Sequence, residues 1–195
     1  MREEAKRVSI RELQSDLKEM GSPRFRQKYT RPALVGIGRI AEAEEEENFA
    51  GRTMQVLVSD LLAEMQQRGA PPSSLDAEQS SVTDLVFIIP FQTLPVRVGR
   101  KAGINNIVIP DYSLSATHCE LRWLSHDSLA ITDVGASNPI VVNDRRLNAK
   151  EVVPLRGAER IVLGRMIFRF YRTDQLLLLA TGTPSDTIAP SPSSR

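Results

Sequence analysis

From Leu85 to Tyr171 the apolar residues come in short runs at a period of two, and turn residues close each run. That rhythm dictates strands, because side chains alternate across a strand and repeat every 3.6 residues on a helix. The runs are Leu85-Val86-Phe87-Ile88-Ile89, Val96-Arg97-Val98, Ile107-Val108-Ile109, Cys119 to Trp123 and Leu129-Ala130-Ile131. Ile140-Val141-Val142, Ile161-Val162-Leu163 and Ile167 to Tyr171 follow. Between them lie Gly103, Asn105-Asn106, Pro110-Asp111, His126-Asp127, Asn143-Asp144 and Arg156-Gly157, which are turn formers. Many short strands at close spacing predict a sandwich or barrel. No helical stretch intervenes that could make a βαβ crossover.

Ahead of this region the period is helical. Ser9 with Glu12 three residues later has the pattern of a capping box. Val8, Ile10, Leu13, Leu17 and Met20 fall on one face, and Gly21 reads as a stop. Residues 22–38 are basic and carry Pro23 and Pro32, with Phe25 and Tyr29 interleaved; an acidic block, Glu42 to Glu47, follows. A second amphipathic helix is expected from Thr53 to Arg68, on Met54, Leu57, Val58, Leu61, Leu62 and Met65. The expected organisation is a helical region at 1–69, a flexible linker at 70–82, a β-sandwich at 83–173, and a short apolar turn with a disordered tail at 174–195.

Hydrophobic residues make up 41% of the chain and charged residues 25%, as in globular proteins. The formal net charge of +1 gives no global field for nucleic acid or a membrane. Neither is an expected partner, although the basic segment with its two aromatics has local nucleic-acid character. One cysteine, Cys119, makes no internal disulfide, and no apolar run has the length of a membrane span. The expected location is the cytoplasm. Two histidines and one cysteine do not supply a metal-ligand set, so neither a metal nor a cofactor is expected.

The polar residues of the strand region form an ordered series at its turns. They are Gly99-Arg100, Asn105-Asn106-Ile107, Ser115-Ala116-Thr117-His118, Asp133 to Pro139, Val142-Asn143 and Leu163-Gly164. A guanidinium, hydroxyls and a carboxamide hold a phosphate by charge-assisted hydrogen bonds without acting on it. Taken singly, each has a plain explanation. Arg100 is a solvated charge, Ser115 caps a turn and Asn138 is a turn residue. In this order and spacing the series resembles the forkhead-associated (FHA) domain, over roughly Leu85 to Thr173. The resemblance implies a sandwich of about eleven strands that binds phosphothreonine peptides through loops at one end.

By position, the resemblance gives Arg100 to the phosphate or the peptide backbone and Ser115 to the phosphate. It places Ser137 on the neighbouring loop and Asn138 at the peptide main chain. His118 is expected to brace the loop carrying Ser115 and to have no catalytic role. Ala116 stands where the family often has arginine or lysine, and Pro139 where it favours glycine. The expected function is a non-enzymatic phosphothreonine-binding adaptor in Ser/Thr kinase signalling. Its partners would be a Ser/Thr kinase or a phosphothreonine-containing protein, and a second protein met through the N-terminal helices. The alternative, motivated by Ala116 and Pro139, is a degenerate FHA scaffold that binds an unphosphorylated partner within a larger assembly.

Overall fold

Leu85 to Ile89 has no polar alternation because both faces of that strand are covered. Phe87 and Ile89 point into one apolar cluster, and Val86 and Ile88 into another. A computed structural model describes residues 4–40, 84–91 and 94–182. The second helix expected at 53–68, the acidic block, the linker at 70–82 and the tail beyond 182 lie outside the described residues.

The described residues form a β-sandwich of twelve strands. In chain order they are β1 (Lys6–Ser9), β2 (Ala33–Arg39), β3 (Leu85–Ile88), β4 (Val96–Gly99), β5 (Ile107–Val108) and β6 (Cys119–Trp123). The rest are β7 (Leu129–Asp133), β8 (Ile140–Val142), β9 (Arg145–Arg146), β10 (Val152–Leu155), β11 (Arg160–Leu163) and β12 (Met166–Tyr171). One sheet has seven strands in the order β1-β3-β2-β12-β11-β8-β9, and the other five in the order β10-β7-β6-β4-β5. All pairings are antiparallel except β4 with the two-residue β5. Inward residues of both sheets, including Val98, Leu121, Ile131, Ile161 and Phe168, make the main core. Phe87 meets Phe168 edge-on there, with ring centroids 6.3 Å apart.

The outer face of the seven-stranded sheet is roofed by two helices, α1 (Ile10–Lys28) and α2 (Thr173–Ala180). Ser9 caps α1 as expected, its Oγ accepting the Glu12 amide at 3.0 Å. Gly21, at φ 73°, breaks the helical path inside α1, and Pro23 follows as a residue suited to the first turn of the resumed helix. Leu13 and Phe25 from α1, and Leu176 and Ala180 from α2, pack on Val35, Val86 and Tyr171. The expected apolar turn at 176–179 is therefore part of a regular helix.

Residues 1–69 are not wholly helical, because β1 and β2 lie among them. β2 pairs with both β3 and β12 inside the sheet. The reason is two-sided burial: Leu34 faces the sandwich core while Ala33 and Val35 face the helices. Such a strand reads as a continuous apolar run without a period of two. β1 pairs with β3, and the neighbouring Ala5 amide reaches the other sheet's loop to donate to Asn106 O at 2.8 Å.

Candidate functional site

Gly99, the last residue of β4, sits where a side chain has no room. A Cβ on Gly99 would lie 2.5 Å from the Ala116 carbonyl oxygen and 2.7 Å from Thr117 Cα. The glycine lets the β5–β6 loop press against the end of β4. Backbone bonds complete the contact: the Arg100 amide donates to Ser115 O at 3.0 Å, and the Lys101 amide to Ala116 O at 3.2 Å. Asn105 is buried and clasps the two segments. Its Nδ2 donates to Lys101 O at 2.7 Å and to Ala116 O at 2.5 Å.

The loop itself stands on a buried ion pair. Arg165 donates from Nε to Asp111 at 3.2 and 3.1 Å and pairs through Nη2 at 3.0 Å; the side chains are 8% and 3% exposed. Asp111 also accepts the Ser113 amide at 3.0 Å and the Ser113 hydroxyl at 2.7 Å. Burial works to raise the Asp111 pKa, but the Ser113 bonds and Arg165 outweigh it and hold the carboxyl below the usual range. Arg165 also stacks on Tyr112, 4.0 Å from the ring centroid. Gly164 leaves room for this strut: at φ +56°, its Cβ would fall 2.5 Å from Ser113 Oγ.

On this base the four expected site residues come together. The Arg100 Nε donates to Leu114 O at 3.2 Å, which orients the guanidinium beside Ser115. Among the described residues no ion pair engages Arg100 or Lys101, and both are exposed. The Ser115 hydroxyl accepts the Ser137 amide at 2.9 Å and donates to the Ser137 hydroxyl at a long 3.4 Å. The Asn138 Nδ2 donates to Ser113 O at 2.8 Å. Asp133 shapes the loop that carries Ser137, its Oδ1 accepting the Gly135 and Ala136 amides at 2.8 and 2.9 Å.

His118 braces the start of the segment that carries Ser115. Its Nδ1 accepts the Ser115 amide at 3.1 Å, so a proton on the ring sits at Nε2. Burial pushes its pKa down to about 4 against the opposing pull of Asp133, leaving a neutral imidazole at pH 7. Asp111, Ser113 and Arg165 support the Ser115 loop from beneath, and of the three the sequence marks only Asp111, as a turn residue. The available signal was Asp111-Tyr112-Ser113, a spacing that suits a side-chain turn. Among the described residues no group of metal-ligating side chains occurs. The rim therefore offers an oriented guanidinium, a lysine, two hydroxyls and a carboxamide. These are donors suited to an oxyanion presented by an extended chain.

Residues 96–164 match the family model of the FHA domain. No curated protein matches the chain. Among solved structures, the FHA domain of an Arabidopsis thaliana hypothetical protein is 27% identical. That match covers 47% of this chain and 75% of that one, with a TM-score of 0.41. The FHA domain of the Chlamydia trachomatis CT664 protein is 23% identical, over 44% of this chain and 83% of that one, with a TM-score of 0.40. The MEK1 FHA domain, solved in complex with a HOP1 phosphothreonine peptide, is 21% identical over 45% and 87%, with a TM-score of 0.38.

Proposed function

We propose that the chain, whose residues 96–164 match the FHA domain model, is a non-catalytic adaptor that captures a phosphothreonine-containing protein. In this reading Arg100 and Ser115 hold the phosphate, Ser137 supports Ser115 from the adjoining loop, and Asn138 meets the peptide main chain. The observation that carries the reading is the meeting of three distant segments. Arg100 and Ser137 both bond the stretch Leu114-Ser115, and among the described residues Arg100 has no carboxylate partner. With its Nε held by Leu114, the guanidinium turns its terminal nitrogens to an incoming oxyanion. Its planar fork suits two phosphate oxygens. The 3.4 Å bond from Ser115 to Ser137 is long enough to be exchanged for a shorter one to phosphate.

The kinase or kinase substrate that bears the phosphothreonine is the proposed partner, and the cytoplasm the proposed location. No helix among the described residues is long and apolar enough to cross a membrane. A second partner at α1 would meet its polar surface, since Leu13 and Phe25 are engaged by the sheet and α2.

The test is titration of a phosphothreonine peptide library against wild type and Arg100→Ala. Removing charge-assisted bonds worth about 1.5–3 kcal/mol weakens binding roughly ten- to hundredfold. Equal binding by both proteins refutes a site built on Arg100. Equal binding of phosphorylated and unphosphorylated peptides favours the degenerate scaffold suggested by Ala116 and Pro139.

A further inference from the structure

The backbone of the exposed Lys101 is held on both sides of its Cα. Its amide donates to Ala116 O at 3.2 Å, and its carbonyl accepts Asn105 Nδ2 at 2.7 Å. The same Asn105 nitrogen bonds Ala116 O, so Lys101 and Ala116 are held side by side through one buried carboxamide. Gly99 brings the two backbones into contact from beneath. Ala116 directly follows Ser115, and Lys101 directly follows Arg100. The lysine side chain therefore leaves the backbone at the junction of the two segments that carry Arg100 and Ser115. Among the described residues it has no carboxylate to neutralise it.

We propose that Lys101 is the second cation of the rim, contacting the ligand's phosphate from the side where Ala116 offers only a methyl group. This rests on the phosphothreonine-binding reading of the same site. The physical reason is charge. A phosphate monoester carries about −1.5 to −2 at neutral pH, more than one guanidinium balances. The four-carbon stem of lysine delivers a compact point charge without requiring the fixed fork of arginine. Ala116, with no side chain beyond Cβ, leaves that approach unobstructed.

The consequence is a transferable charge. Lys101→Ala should bind a degenerate peptide pool with a fixed central phosphothreonine about tenfold more weakly than wild type. Adding Ala116→Arg in the same chain should restore most of the affinity, because a cation then returns from the neighbouring segment. The unphosphorylated pool should respond to neither change, and thermal midpoints of the full chain should agree among all three proteins. A merely structural lysine would not be rescued by a charge at another position. If wild type prefers the phosphorylated pool but Lys101→Ala binds it equally well, Lys101 is not the second cation and the rim reading survives. The same holds if Ala116→Arg fails to rescue a weakened variant. If wild type does not distinguish the two pools, the rim reading itself falls.

Discussion

The substitution Asp111→Ala tests whether the loop that carries Ser115 stands on its buried ion pair. The carboxylate receives three guanidinium contacts at 3.0–3.2 Å and two bonds from Ser113. With side chains 8% and 3% exposed, solvent screens the pair little. Removing the carboxylate leaves the Arg165 charge buried without its counter-ion, which costs about 3–5 kcal/mol. That is a large share of the roughly 5–15 kcal/mol that stabilises a domain. Urea unfolding at pH 7 reads the loss as a lower midpoint at an unchanged slope.

A second variant, Asp111→Leu with Arg165→Met, removes both charges and should recover most of the stability. The pH dependence has a definite sign. The folded carboxyl has a lowered pKa, so its contribution is complete above the unfolded value near 3.9 and is lost as pH falls through the folded one. A cost below about 1 kcal/mol for Asp111→Ala would refute the reasoning, since a desolvated charge cannot be left unpaired so cheaply. So would a double variant no more stable than the single.

Gly99→Ala should displace the β5–β6 loop, because its Cβ would meet backbone atoms at 2.5 and 2.7 Å. A cost of about 1–3 kcal/mol is expected, together with weaker phosphopeptide binding by titration; wild-type affinity would argue against the close approach. His118→Gln should flatten the dependence of stability on pH between about 6.5 and 4. The wild-type imidazole is held neutral down to about pH 4 while the unfolded chain protonates near 6.5. Wild type should therefore lose on the order of 3 kcal/mol over that window as pH falls, which denaturation at several pH values would measure.

Most strands from β3 onward were legible in the sequence, because short apolar runs closed by turn residues are a local signal. So was the turn chemistry of the rim, since Gly99-Arg100 and Ser115 to His118 sit where strands end. β2 was not legible. Ala33, Leu34 and Val35 are buried on both faces as β3 is, but they form a short apolar run inside a basic, proline-interrupted stretch that follows a helical pattern. β10 was hidden by Pro154, a residue tolerated there because β10 is a sheet edge. The ion pair under the rim was hidden by distance along the chain. Asp111 read as a turn residue, and nothing near it pointed to Arg165. Asn105 was noted for its place in a motif, while its role as a clasp needed the coordinates of Lys101 and Ala116.

β2 and β3 are hydrogen-bonded antiparallel neighbours, yet residues 40–84 separate them in sequence. Leu34 pairs with Phe87 and Val35 with Val86 across that gap in the sequence, so the middle of the seven-stranded sheet is built by partners far apart along the chain. Contacts of such high sequence separation must meet the entropy of chain closure before they are rewarded, which places them among the slower pairings to form.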